Sequence, residues 1–266
     1  MNNKKQTILL ILVFLVSLGG TLFAVSHLRK TNIRYQKGED TYQNIQDEYV
    51  DKAKDMPKES DGEKTEEESY LLIDFEGLQA MNSDIIGWID IPGVGISYPL
   101  LQGSNNSYYL THMSSGEYGI HGSIFMDIHN KPDFYDSNTI IYGHNMKDGT
   151  MFAGLNAYQD FYFYQQHPYF YIYLPGYLLK YQIFSCYSGQ VGSSAYTYAF
   201  GQEGAFQDFL GDILSCAAYQ TSVEVKATDR VVTLSTCVNA DRNYRYLIHG
   251  KEVQNMEHSG DMSRPF

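Results

Sequence analysis

The feature that most constrains the fold is a succession of short apolar runs between Ile85 and Val253. Gly, Pro, Asn, Asp and Ser separate the runs, and β-branched and aromatic residues fill many of them. Runs of this kind, bounded by turn formers, are typical of β-strands. They are IIGWIDIP, GISYPLLQ, NTIIYG, FYIYL, KYQIFSCYSG, SVEVKA, RVVTLST and RYLIHGKEV. Seven or eight such strands predict a mainly β protein, either a sandwich or a barrel.

Two segments depart from this pattern and show the spacing of a helix. A long connection between Gly189 and Ser222 repeats apolar residues every three or four positions, which predicts one helix inserted between two strands. Its apolar residues are Phe206, Phe209, Leu210, Ile213 and Leu214. Upstream of the strands, the segment from Tyr70 to Met81 predicts an N-terminal amphipathic helix with Leu71, Leu72, Phe75 and Leu78 on its apolar face.

The N-terminal region carries an uncharged apolar stretch from Ile8 to Val25, long enough to cross a bilayer. Lys4 and Lys5 precede it, but more basic residues follow it, so positive-inside counting does not fix the orientation. No second span appears downstream. We therefore expect residues 1–30 to be a membrane or signal anchor, with the large C-terminal part exported.

Charge and polarity divide the rest of the chain. Residues 31–69 are polar and mostly acidic with little apolar periodicity, which favours a solvated stalk over an acidic binding tail. Residues 70–255 form the predicted folded domain, and 256–266 a polar tail. The net charge of −12 argues against nucleic acid as a partner, because phosphate contacts need clustered Lys and Arg.

The chain has three cysteines, and the one of greatest chemical interest is Cys237 at the end of the run VVTLSTC. An odd number this small cannot build a disulfide framework and is compatible with one reactive thiol. A lone cysteine at the end of a buried strand is, before other signals are weighed, more often a packed structural thiol than a nucleophile. Cys186 and Cys216 are interpreted as packing residues.

A cysteine nucleophile needs an acid or base and a group that stabilises the oxyanion. His144 follows the strand NTIIYG at a glycine turn, and Arg245 begins the strand after the cysteine loop. A hairpin of these strands would return Arg245 toward the thiol. Arg242 is the rival cation, and His249, which shares strand parity with Arg245, is the rival base. Taken alone, a histidine or arginine in such a place is more often structural than catalytic.

Taken together, YGHNM, TLSTC and the later arginine, in this order, resemble the class B sortases. The helix-bearing insertion before TLSTC is also a class B feature. The resemblance spans about residues 70 to 253, and its supporting segments are NSDIIGWIDIPGVGISYPLLQG, GSIFMDIHN, NTIIYGHNMKDGTMF, KYQIFSCYS and RYLIHGK. The resemblance implies a closed sortase-type β-barrel of seven to eight strands. It also implies a nucleophile at Cys237, an acid and base at His144 and a substrate-positioning or oxyanion-stabilising cation at Arg245.

The resemblance also suggests substrate contacts at Ser235, Thr236 and Asn145. Some class B members carry an acidic residue two positions after the cysteine, where this chain has Asn239, so a catalytic carboxylate is not expected. The spacing of His112, His121 and His129 predicts no metal site, and no cofactor is expected; these histidines are interpreted as scattered polar residues.

The implied activity is cysteine transpeptidation at a Gram-positive-type cell surface. The enzyme would cleave the C-terminal sorting signal of secreted surface proteins through a thioacyl intermediate and transfer the acyl group to a cell-wall precursor amine. Three alternatives stay open: transfer to a pilin lysine, release to water by a cysteine peptidase, and a non-catalytic surface scaffold. The predicted partners are therefore surface proteins with a sorting motif, a peptidoglycan precursor amine and the membrane.

Overall fold

The computed structural model describes residues 3–52, 70–238 and 241–257, and its centre is a closed barrel of eight strands. The order around the barrel is β10, β8, β7, β3, β4, β5, β6, β9. The strands are β3 (Ile85–Ile91), β4 (Ile96–Leu101), β5 (Ile124–Met126), β6 (Asn138–Tyr142), β7 (Tyr169–Leu174), β8 (Tyr177–Gln190), β9 (Val231–Val238) and β10 (Asp241–Glu257). The predicted fold class, a mainly β barrel, is confirmed.

The helices and a small two-stranded sheet surround the barrel. β1 (Val50–Lys52) pairs antiparallel with β2 (Leu71–Ile73). The helices are α1 (Asn3–Tyr49), α2 (Phe75–Met81), α3 (Phe161–Gln166) and α4 (Ala205–Ser215). α4 is the predicted inserted helix, and it lies in the long connection between β8 and β9.

Two apolar clusters hold these elements together. The larger fills the barrel and includes Trp88, Phe170 and Leu234, all buried. The smaller lies between the outer face of β8 to β10 and α4, where Phe209 and Leu247 are buried together. Alternating strand residues therefore pack inward on the barrel core and outward under α4.

One predicted strand is wrong, and one strand of the barrel was not predicted. The run SVEVKA, residues 222–227, forms no strand; its valines instead pack against the cluster under α4. An alternating pattern indicates that one side of a segment is buried. Here the apolar cluster under α4, and not the face of a sheet, buries that side. The eighth barrel strand is β5, whose three residues are too few for a periodic signal.

The predicted N-terminal helix begins later than expected. Residues 71–73 form β2, and the Asp74 carboxylate caps α2 by accepting a hydrogen bond from the Gly77 N–H at 2.9 Å. The apolar residues Leu71 and Leu72 therefore belong to the strand rather than to the helix. The capping aspartate stabilises a helix that begins at Phe75, whereas the apolar spacing alone suggests an earlier start.

The N-terminal apolar stretch is part of α1, and within the described ranges α1 alone is long and apolar enough to cross a membrane. The helix runs beyond the predicted anchor, and its last turns pack on the barrel through the buried Tyr42 and Ile45. This part of 31–69 is not the solvated stalk that composition predicts, because a few apolar side chains at helical spacing suffice to dock it. Residues 53–69 of that segment, and 258–266 of the tail, lie outside the described residues.

Candidate active site

Two parallel strands bring His144 and Cys237 to the same edge of the barrel. β6 and β9 pair in parallel, with Tyr142 opposite Ser235. The pairing continues past the end of β6, since the Gly143 N–H donates to Ser235 O at 3.2 Å. In this register His144 follows opposite Cys237. The ends of parallel strands meet at one edge of a sheet, so both side chains belong to one site.

The hairpin of β9 and β10 brings Arg245 to the same place. Arg245 is the direct cross-strand partner of Cys237, and opposite residues in such a pair have Cβ atoms about 4.5–5.5 Å apart. Nη1 of Arg245 donates to the carbonyls of Arg242 at 2.8 Å and Tyr244 at 2.9 Å, which holds the guanidinium at the turn. The predicted hairpin is confirmed.

The rival cation does not share this position. The side chain of Arg242 is exposed, and its contribution near the site is the backbone carbonyl that accepts from Arg245. A cavity of about 280 Å³ is lined by His144, Cys237 and Arg245, and Arg242 is not among its lining residues. The structure therefore brings together the three residues that the sequence selects.

Aromatic and aliphatic side chains form the remaining wall of this cavity. Leu110 and Phe125 come from the barrel side, and Tyr196 comes from the connection that carries α4. The Tyr196 hydroxyl lies 2.8 Å from Ser235 Oγ, which ties this connection to β9. Burial raises the pKa of Tyr196, so its hydroxyl stays protonated at neutral pH. The wall beside the three polar side chains is therefore mainly apolar.

His144 has a defined hydrogen-bonding partner. Its Nε2 lies 2.7 Å from the carbonyl oxygen of Leu110. A carbonyl oxygen only accepts, so Nε2 carries the hydrogen in this contact. Nδ1 is then the nitrogen that can gain or lose a proton without breaking the contact.

Asn145 does not line the cavity, although it was predicted to bind substrate. Its Nδ2 donates to the Cys237 carbonyl at 2.8 Å, and its Oδ1 accepts from Asn156 at 3.2 Å. The side chain thus ties the residue after His144 to the backbone of Cys237. Ser235 and Thr236 do line the cavity, and the Thr236 hydroxyl donates to Gly143 O at 2.8 Å.

A buried carboxylate behind the cavity was not predicted from the sequence. Asp127 accepts hydrogen bonds from Tyr142 at 2.7 Å and from Asn106 at 2.8 Å, both of which line the cavity. Burial alone would raise the pKa of Asp127, but hydrogen bonds from His129 and Tyr142 hold it below its ordinary value. Asn106 and Tyr142 lie 21 and 15 positions from Asp127, so no local signal marks these two contacts.

His249, the rival base, is remote from solvent. It is fully buried, with Nδ1 2.9 Å from the Thr233 hydroxyl and its ring stacked on Tyr187. Burial lowers the pKa of His249 to about 3, because the charged form would lose its hydration. It lies under α4 as a packed residue, in contact with Phe209, and does not line the cavity.

The three cysteines are all free thiols in different surroundings. Cys186 is buried as predicted, and burial raises its pKa to about 12. Cys216 is exposed, which corrects its interpretation as a packing residue: it follows the last turn of α4, outside the apolar face. Cys237 is partly exposed and reaches the cavity. Accessibility therefore separates Cys237 from the inert Cys186.

The three histidines considered for a metal site, His112, His121 and His129, have separate surroundings. His112 stacks on Tyr108, His121 is buried beside Asp148, and His129 contacts Asp127. Among the residues that the structure describes, no group of three or more His, Cys, Asp or Glu side chains could hold a metal ion.

Comparison with known proteins agrees with this architecture. The sortase domain model matches residues 89–253. Sortase B of Listeria monocytogenes is 41% identical over 181 residues, which cover 66% of this chain and 72% of that protein. Sortase B of Staphylococcus aureus is 35% identical over 175 residues, covering 65% and 71% respectively.

Solved structures give the same family. The structure of sortase B from B. anthracis in complex with AAEK1 is 31% identical, with a TM-score of 0.70, and covers 84% of this chain and 99% of that one. The Staphylococcus aureus sortase B-substrate complex is 34% identical, with a TM-score of 0.64, and covers 68% and 84%. With the barrel, the inserted helix and the matched sequence in agreement, the chain belongs to class B of the sortase family of cysteine transpeptidases.

Proposed function

We propose that this sortase cleaves the C-terminal sorting signal of secreted surface proteins and joins the new C-terminus to an amine of a cell-wall precursor. The observation that carries the proposal is the convergence of Cys237, His144 and Arg245 on one cavity. These three side chains supply a nucleophile, a proton carrier and a permanent cation. Acyl transfer by a cysteine requires those three roles.

In the first half of the reaction, the Cys237 thiol gives its proton to Nδ1 of His144, and Sγ attacks a threonine carbonyl carbon in the sorting signal. The carbon–sulfur bond forms and the oxygen becomes negative. When the carbon–nitrogen bond breaks, His144 gives its Nδ1 proton to the leaving amine. The product is a thioacyl enzyme, in which the acyl group is held on Cys237.

In the second half, an acceptor amine replaces the peptide that has left. His144 takes a proton from the amine as the amine attacks the thioacyl carbon. The carbon–sulfur bond then breaks, and Sγ of Cys237 regains its proton from His144. One solved sortase B is complexed with a triglycine peptide. That glycine peptide offers a free amine of the kind the proposal requires.

Arg245 would stabilise the negative oxygen formed in each half. Its cross-strand position opposite Cys237 and its place in the cavity wall support this role. A guanidinium stays charged at any working pH, and a fixed cation at an oxyanion contributes more than a solvated one. Ser235 and Thr236 are proposed to shape the adjoining substrate groove.

We expect Arg245→Ala to lower kcat/KM roughly 10²- to 10³-fold, because the transition-state oxyanion loses its cation. Arg242→Ala is the matched control and is expected to stay within about twofold, since it keeps the carbonyl that accepts from Arg245. Steady-state kinetics with a sorting peptide and an amine measure both. Wild-type turnover in Arg245→Ala together with a large loss in Arg242→Ala would transfer the role to Arg242.

The membrane has a direct part in the proposal. A single N-terminal anchor with the barrel on the outer face would hold the enzyme beside its membrane-attached substrate and the lipid-linked acceptor. Confinement to one surface raises the effective concentrations of the enzyme, the substrate and the acceptor. The apolar part of α1 is exposed along its length, as a bilayer-embedded segment should be.

Deleting residues 1–30 is expected to give a soluble protein with unchanged kcat on peptides. Residues 6–30 of the deleted segment are exposed rather than packed on the barrel, and the docked turns of α1 remain. Circular dichroism, gel filtration and peptide kinetics check the outcome. Loss of folding in this variant would show that the anchor is not separable from the domain.

An experiment with two acceptors separates the proposal from its rivals. The enzyme is incubated with pentapeptides that contain a threonine followed by a variable residue, with or without triglycine. We expect an amide-linked triglycine product. Hydrolysis that triglycine does not divert would favour a cysteine peptidase, and use of a pilin-like lysine peptide in place of triglycine would favour pilus assembly.

A further inference from the structure

The docked end of α1 presents a face that contacts the active-site side of the barrel. Its residues recur every three or four positions, so they lie along one stripe of the helix. We call this stripe the docking face; it consists of Tyr35, Gly38, Tyr42, Ile45 and Tyr49. The stripe lies against the segment before β5 and against Tyr98 of β4.

The first link from the docking face runs through His121. A Cβ at Gly38 would overlap the His121 imidazole, so only glycine lets the helix backbone lie this close. Tyr35 packs edge-on against the same ring at 5.8 Å between centroids. His121 Nε2 in turn donates to Asp148 Oδ2 at 3.0 Å.

Asp148 belongs to the loop of residues 143–151, which we call the His144 loop. Its Oδ1 accepts from the N–H and the hydroxyl of Thr150, at 3.1 and 2.6 Å, and so shapes the loop turn. Burial alone would raise the pKa of Asp148, but the bonds from Thr150 and His121 hold it below its ordinary value. The Asp148 carboxylate is therefore ionised, and it bonds both to His121 and to Thr150 of the loop.

The second link runs through Tyr98. Its ring packs edge-on against Tyr42, with centroids 5.2 Å apart, and its hydroxyl accepts from the Met151 N–H at 3.2 Å. Met151 adopts φ +56°, which is unfavourable for a residue with a side chain and persists only where its surroundings hold it. Met151 also pairs across the loop with Asn145, the neighbour of His144.

A third contact reaches the cavity wall. The Tyr42 hydroxyl donates to the carbonyl of Gly122 and lies 3.2 Å from Ser123 Oγ. Ser123 lines the cavity with His144 and Cys237. Burial raises the pKa of Tyr42 to about 12, so the hydroxyl remains a donor at neutral pH.

We propose that the docking face of α1 positions the His144 loop, with His121 and Tyr98 as the positioning residues between helix and loop. The inference rests on the role proposed above for His144. The same helix that would cross the membrane thereby holds the proton carrier of the reaction in place. A packing role alone would not require the helix to contact both residues that bond to the loop.

The test uses the full chain in detergent micelles and compares two glycines of α1. Gly38→Leu forces the helix away from His121, whereas Gly20→Leu adds the same side chain where a Cβ meets no atom within 4 Å. Gly38→Leu is expected to lower kcat roughly 10- to 100-fold with KM nearly constant, because a small misplacement of a catalytic group is costly. Gly20→Leu is expected to match the wild type.

Hydrogen exchange measured by mass spectrometry supplies a readout that does not depend on turnover. Peptides covering the His144 loop are expected to exchange faster in Gly38→Leu, while peptides from β7 and β8 are unchanged. This comparison holds even if no peptide proves to be a substrate. A failure of the proposed function is then distinguishable from a failure of this inference.

A second variant removes the links without moving the helix. His121→Ala combined with Tyr98→Phe deletes both bonds to the His144 loop and is expected to reproduce the loss of kcat and the faster loop exchange. His121→Asn, which keeps a donor near Asp148, is expected to recover part of kcat. Unchanged loop exchange and kcat in the double variant would overturn the proposal and leave α1 with a packing role.

Discussion

Cys237→Ala is expected to abolish turnover, with a loss of about 10⁶-fold or to below detection, because the variant cannot form the thioacyl bond. The substitution should leave the barrel intact. Cys237 is partly exposed at the end of β9, and its backbone carbonyl, which accepts from Asn145, is retained. Peptide binding should therefore persist, and only the chemical step should be lost.

The matched control is Cys216→Ala, since Cys216 is also an accessible free thiol. It lies at the end of α4 and does not line the cavity, so its replacement should leave kcat and KM unchanged. Circular dichroism and thermal melts of both variants check that folding is equal. Measurable turnover in Cys237→Ala that Cys216→Ala removes would assign the nucleophile to Cys216.

His144→Ala is expected to lower kcat by roughly 10²- to 10⁴-fold, the range typical of general acid and base catalysis. The leaving amine would depart without a proton, and the acceptor amine would attack without a base. Asn145 would still hold the Cys237 carbonyl, so the cavity should keep its shape. The effect should fall on kcat rather than on KM.

His112→Ala serves as the control, because the partly exposed His112 does not line the cavity although Leu110, two positions earlier, does. Rescue by added imidazole would support a proton-transfer role, since a free imidazole can occupy the space that the side chain leaves. The measurement is steady-state kinetics with and without imidazole. Near-normal turnover in His144→Ala would contradict the assignment.

Much of the site was accessible from sequence because its residues lie at the ends of recognisable strands. His144 follows the apolar run of β6, and Cys237 ends that of β9. The spacing from Cys237 to Arg245 predicts a hairpin, and the antiparallel register confirms it. Strand periodicity and turn residues are local signals, so both can be read along the chain.

The parts that were missed depend on contacts between distant residues. Asp127 bonds to Asn106 and Tyr142 across 21 and 15 positions, so no local pattern predicts these two bonds. The contact between Asn145 and the Cys237 carbonyl spans 92 positions. Hydrogen bonds of this kind depend on which strands and loops become neighbours in the fold. They therefore cannot be read from local sequence patterns.

The docking of α1 was missed for a related reason. Its buried stripe is sparse and lies in a polar, acidic segment, so composition favours a solvated stalk. Only Gly38, Tyr42 and Ile45 of the stripe are buried. A glycine that permits close approach has no hydropathic signal, although it allows the contact with His121.

The most direct test of the central claim is the intact mass of the enzyme during turnover. The protein lacking residues 1–30 is mixed with the threonine-containing pentapeptide pool, quenched in acid and digested to locate any adduct. We expect an acyl mass on Cys237 that disappears when triglycine is added, together with an amide-linked product. No adduct on Cys237 with any peptide of the pool, or an adduct that water removes as fast with triglycine as without it, would contradict transpeptidation at this site.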